Sequence, residues 1–237
     1  MNKTLKRETF ELRFFPMAAF FDRRSGLLDL LYRDSRTKKN NFQHWQLDQN
    51  RVALFDADGS RTFSCSFQNC AFSCVDPPTD NYSHDQILKY FGATADYFGD
   101  KIENVLRAGF RRIQVVPVKD FDELTKKLVD AFVKVENPLF QALGSSLNDL
   151  KLFPFVFKHG GNKYQITLGP TTREELKTLW GDDPELPERA MYVDVDYYAV
   201  QPAIHTDLTK YVAEFLAKAK EIDNRIFPQL TEMATGI

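Results

Sequence analysis

Long apolar runs are missing from this chain of 237 residues. The longest uncharged apolar stretch, Phe14 to Phe21, covers eight residues and contains Pro16. A helix that crosses a bilayer needs roughly 20 apolar residues, so no membrane span is expected. The opening Met1-Asn2-Lys3-Thr4-Leu5-Lys6-Arg7-Glu8 is charged and has no apolar core of the kind a signal peptide carries. A cytoplasmic protein is the expectation.

Cysteine is scarce as well. Cys65, Cys70 and Cys74 are the whole complement, separated by gaps of four and three residues. Zinc sites pair closely spaced cysteines and complete a tetrahedron with further Cys or His. Here there is no fourth cysteine, and nothing in the sequence positions His84 to replace one. The three alternate with Phe63, Phe67 and Phe72, as small buried hydrophobes do on a strand, so buried thiols are expected and no cofactor. Local catalytic signatures are absent too: the chain has no Gly-x-Ser-x-Gly, no His-Glu-x-x-His and no Walker phosphate loop. None of His44, His84, His159 and His205 sits in a nucleophile signature, and Gly144-Ser145-Ser146 reads as a loop. These signatures are local, whereas a triad scattered over loops is defined by geometry.

What the chain has is phenylalanine, twenty-one of them, and a concealed charge polarity. The net charge is only −2, yet residues 1–40 carry ten Lys/Arg against five Asp/Glu, while residues 171–237 carry seven against thirteen. The basic excess peaks around Arg33, Arg36, Lys38 and Lys39, which reads as a polar loop able to contact phosphates or to remain a solvated connection.

Periodicity predicts the elements. Strands are expected at 9–14, 42–47, 51–55, 62–67 and 70–75, with Asp56-Ala57-Asp58-Gly59-Ser60 as a hairpin turn. A helix over 18–33 intervenes, weakened by Gly26. Ser83 and Gln86 predict the cap of a long helix whose stripe Ile87, Phe91, Ala95, Phe98, Ile102 and Val105 runs towards Gly109. The order then recurs. A strand over 110–118 is followed by a helix capped by Asp120 and Glu123, strands at 151–158 and 164–168, and a short helix over 173–180. A strand over 191–200 and a last helix from Thr206 or Asp207 to Pro228 complete the chain. The fold class is α+β: two similar halves, 1–109 and 110–237, each strand–helix–antiparallel strands–long helix, with the long amphipathic helix packed on its sheet. Two domains or one continuous domain both satisfy this pattern.

Two constellations carry chemistry. Asp194 and Asp196 are two apart on a predicted strand, so their carboxylates share a face roughly 6–7 Å apart and are candidate metal ligands for Mg²⁺ or Ca²⁺. Arg111 and Arg112 point to opposite faces of theirs, and the one on the packed side needs a carboxylate; Asp194 and Asp196 are candidate partners in a structural ion pair. The two readings compete for the same acids.

Four blocks carry a family resemblance: Glu8-Thr9-Phe10-Glu11-Leu12-Arg13-Phe14, Arg107-Ala108-Gly109-Phe110-Arg111-Arg112-Ile113, Tyr192-Val193-Asp194-Val195-Asp196-Tyr197, and Lys220-Glu221-Ile222-Asp223-Asn224-Arg225-Ile226-Phe227-Pro228-Gln229-Leu230-Thr231. In order and spacing they resemble a sporadically distributed family of uncharacterised bacterial proteins of similar length, departing from it at Phe110 and Arg112. The resemblance implies no established activity, and the patchy distribution implies an accessory part in a mobile system such as phage defence. The expected function is a non-catalytic binding or assembly protein with a protein partner. The alternatives are a nucleic-acid binder using the basic N-terminal half and a metal-dependent hydrolase using Asp194 and Asp196. A homo-oligomer is open, since the acidic C-terminal third complements the basic N-terminal part.

Overall fold

A computed structural model describes residues 3–36, 42–132, 152–159, 161–204 and 207–235. The strands are β1 (Leu5–Phe14), β2 (His44–Leu47), β3 (Arg51–Phe55), β4 (Arg61–Ser66), β5 (Asn69–Val75), β6 (Val105–Pro117), β7 (Phe153–His159), β8 (Asn162–Thr172) and β9 (Arg189–Val200). The helices are α1 (Ala19–Arg36), α2 (Tyr82–Phe98), α3 (Phe121–Phe132), α4 (Arg173–Trp180) and α5 (Leu208–Thr235). The architecture is α+β. All nine strands join one antiparallel sheet in the order β2-β3-β4-β5-β1-β6-β9-β8-β7. The sheet is continuous across the β1–β6 pair, and Gly109, the expected joint between halves, lies inside β6 facing Glu11.

Alternation along the strands divides the sheet into two unlike faces. Phe10, Leu12, Phe14, Phe63, Phe72, Phe110 and Tyr197 point one way, where α1, α2 and α5 bury them with Phe20, Leu27, Phe91 and Phe215. Further along the same face, Leu124 and Leu128 of α3 pack with Val116, Leu168, Val193 and Phe227. The phenylalanine excess fills this wide interface between sheet and helices, where bulky side chains bury the most area per residue. Cys65, Cys70 and Cys74 lie in it as buried free thiols. Burial pushes the Cys74 thiol up to about 12, so it stays protonated and inert.

β1, β6 and β8 run longer than the periodic reading, and the ends of two helices differ from it for identifiable reasons. α2 stops at Phe98 and not near Gly109, because Gly99 takes φ 58 and donates its N–H to the Ala95 carbonyl. Ile102 and Val105 are buried all the same, one in the connection and one on β6. The N-cap of α2 is Asn81, while Ser83 is buried within the first turn. α5 runs through Pro228, which interrupts its backbone bonding. Leu230 and Ala234 carry the buried face of Phe227 past the proline, and their burial offsets the missing bond. Asp207 opens this helix by accepting the Lys210 N–H at 2.9 Å.

Candidate functional site

The second face of the sheet is polar. Register places Thr9, Glu11 and Arg13 of β1 on it, beside Ser73 of β5 and Arg107, Gly109 and Arg111 of β6. Asp194, Asp196 and Tyr198 of β9 follow, then Lys163, Gln165 and Thr167 of β8. α4 and the segment to Leu186 cover one end, closing a small core with Leu5, Ile113, Val115 and Tyr192. Thr172 fixes the start of α4, its N–H donating to Glu175 Oε2 at 2.9 Å. Away from that cover no other described helix packs on this face, and the Arg111 side chain is 47% exposed.

A ladder of charges is built across β1, β6 and β9. Arg111 grips Asp194 with two bonds, Nε to Oδ1 at 2.9 Å and a terminal nitrogen to Oδ2 at 2.6 Å. Arg107 meets both oxygens of Asp196 at 3.0 and 2.7 Å. Glu11 lies 2.9 Å from Arg13 and 3.5 Å from Arg107. Tyr192 shares the Asp194 carboxylate at 3.4 Å, and burial pushes its phenol up to about 12. Burial also raises the Asp196 carboxyl, with Arg107 opposing that shift.

The partners are diagonal, not directly opposite. Arg111 faces Asp196 in register yet bonds Asp194, while Arg107 faces Val200 and reaches back to Asp196. It does so by lying along its own strand over Gly109. A Cβ at Gly109 would sit 2.3 Å from the Arg107 guanidinium, so only glycine leaves the channel open. Gly109→Val is expected to lift Arg107 off Asp196 while the fold survives. In spectra of the folded variant, the Asp196 carboxyl titrates higher than in the wild type; an unmoved titration counts against the channel.

Of the residues singled out from sequence, Arg111 and Asp194 come together on this face. Asp196 shares it, but pairs with Arg107. The candidate metal pair thus has each carboxylate occupied by its own guanidinium, and among the described residues no group of three or more His, Cys, Asp or Glu is arranged to hold a metal ion. Arg112 is a correction to the expected ion pair with Asp194 or Asp196: the pleat turns it to the helix-covered face. Arg33 pairs with Asp29 at 3.0 Å on α1, a helix of the opposite face, and Arg36 ends that helix. Lys38, Lys39 and His205 lie outside the described residues.

No family model matches the chain, and no curated protein matches it in sequence.

Behind the ladder, on the helix side, Arg112 is enclosed with acids that sequence reasoning did not single out. Its Nε donates to Glu8 Oε1 at 2.7 Å and lies 3.3 Å from Asp223 Oδ2 on α5. Glu8 and Asp223 are 1% and 2% exposed. His84 of α2 packs edge-on against Phe110 at 5.0 Å. Burial pushes the Asp223 carboxyl up to about 7, with Arg112 opposing and Glu8 adding to the shift. Burial, then the charges of Arg112 and Lys220, push the His84 imidazole down to about 4. Glu8 pairs with Arg112 directly across β1 and β6, a relation visible only once the strand order is known. Separately, a cleft of about 820 Å³ lies beyond α2, with Asp96, Glu103 and Asp207 and the apolar Ile102, Val105 and Leu208 among its lining residues.

Proposed function

We propose that this chain is a non-catalytic binding or assembly protein whose partner docks on the open face of the sheet. The observation that carries the reading is the guanidinium ladder. Two bonds to a carboxylate use two of the five N–H donors of an arginine, so Arg111 keeps donors towards solvent in a fixed orientation. Groups held in place before a ligand arrives lose little freedom on binding, which is how a recognition surface gains affinity. Thr9 and Ser73, hydroxyl to hydroxyl at 3.3 Å, add further hydrogen-bonding groups next to it. The strand order also supports reading 1–109 and 110–237 as similar halves. In each, the opening strand pairs with the closing strand of the antiparallel run that follows. The family resemblance adds the setting, an accessory role in a mobile bacterial system such as phage defence, in the cytoplasm.

The test is site-specific photo-crosslinking in the native host. A photoreactive residue at Ser73, on the open face, is expected to trap a partner, whereas one at Glu214, exposed on α5, traps none. Partners trapped from Glu214 alone overturn the reading.

A further inference from the structure

The register aligns cations on the open face in a way the linear sequence hides. In one row across the strands, Arg51 of β3 pairs with Ser66 of β4, and Asn69 of β5 pairs with Arg13, which pairs with Arg107. In the adjacent row, Glu11 pairs with Gly109, Gly109 with Tyr198, Tyr198 with Lys163, and Lys163 with Lys158. These two rows at the end of the sheet away from α4 hold five cations and one acid, Glu11. Glu11 is already committed to Arg13 and Arg107. Arg51, Lys158 and Lys163 have no carboxylate partner among the described residues. Neighbouring strands stand about 4.8 Å apart, so the seven steps from β3 to β7 stretch this band over roughly 34 Å.

A band of positive charge on a chain of net charge −2 is a segregated surface, not an average property. Its shape fits a linear polyanion lying across the strands. One aromatic group interrupts it: Tyr198, half-buried, with the Arg107 guanidinium 5.2 Å from its ring centre. An aromatic platform within a row of cations suits a strand whose bases are unpaired, since each base offers a face for stacking while its phosphates meet the cations. A duplex keeps its bases stacked on one another and has no use for the ring.

We propose that the open face binds single-stranded nucleic acid, its backbone running across β3 to β7 along Arg51, Arg13, Lys163 and Lys158, with a base stacked on Tyr198. This rests on the open face being the recognition surface and names its ligand class.

Fluorescence anisotropy with labelled oligouridine and oligothymidine of about 20 nucleotides tests it. Four phosphate contacts predict affinity about 50-fold weaker at 200 mM than at 50 mM salt. Lys158→Ala with Lys163→Ala, both on the sheet surface, is expected to flatten the salt dependence by about 1.4 in log–log slope. Tyr198→Ala is expected to weaken binding about tenfold at an unchanged slope, with Tyr198→Phe restoring it. Absence of binding at 50 mM salt, an unchanged slope in the double lysine variant, or equal affinity for a duplex overturns the proposal. If Ser73 traps a protein while neither oligonucleotide binds, the ligand class is wrong and the docking face stands. If oligonucleotides bind but only changes at Lys38 and Lys39 weaken them, the open face itself is refuted as the binding surface.

Discussion

Arg112→Met is expected to lower unfolding free energy by about 3–5 kcal/mol, the largest single-residue effect foreseen for this chain. Arg112 is the counter-charge of Glu8 and is flanked by Asp223, all three buried between sheet and helices. Methionine keeps the volume and the contact with Phe227, whose ring centre is 5.5 Å from the guanidinium, so packing contributes little to the loss. What remains is two carboxyl groups in a space with low capacity to solvate charge. They must take up protons or the structure must open. Urea unfolding at pH 7 and again near pH 5 separates the causes. The deficit shrinks at the lower pH, where protons neutralise the acids, if the loss is electrostatic. A deficit that does not change with pH assigns it to packing. The triple replacement Glu8→Leu, Arg112→Met, Asp223→Leu is expected to recover much of the stability, because a whole buried charge cluster is replaceable where a broken one is not.

The second large effect is a pH dependence hidden in the wild type. Asp223 titrates near 7 when folded against an ordinary value of 3.8, so the folded chain holds that proton longer than the unfolded one. Its contribution is complete below about 4 and is lost as pH rises to about 7. His84 titrates near 4 when folded against 6.5, so its contribution is present above 6.5 and is lost as pH falls to about 4. Between about 4 and 6.5 the two slopes oppose each other, one proton against one, and cancel. Removing either partner exposes the other. His84→Gln is expected to grow less stable with rising pH across that window, and Asp223→Asn more stable. Each changes by about 1.4 kcal/mol per pH unit, or roughly 3 kcal/mol over the window. Urea midpoints measured at half-unit intervals check this. Profiles for both variants that parallel the wild type would dismiss the compensation.

Much of the fold is legible from local pattern. The alternations Phe10/Leu12/Phe14 and Met191/Val193/Val195/Tyr197 mark strands and their buried faces. The signals that misled are those that serve two elements at once. Ile102 and Val105 continue the spacing of α2 and are buried for reasons of their own, so only the backbone at Gly99 separates them. Gly109 has the look of a helix stop, but it is a strand residue kept small by an arginine. The site was half legible. Strand parity identifies Asp194 and Asp196 as one face and separates Arg111 from Arg112. Their partners are set by strand order, which local pattern does not encode. Arg107 reaches Asp196 across 89 positions, and Arg112 reaches Glu8 across 104. The cation rows are of the same kind, each member supplied by a different strand.

The position of β1 between β5 and β6 has a consequence for synthesis. A nascent chain that has emerged only as far as α2 can pair β1 with β5, but the other side of β1 has no strand beside it. Glu8 then faces the helix side before Arg112 exists to meet it. The growing chain therefore carries an open backbone edge and an uncompensated acid in its middle until β6 arrives. Completion of that seam gives β1 its second neighbour and Glu8 its counter-charge, and passes the open edge on to β6 until β9 follows.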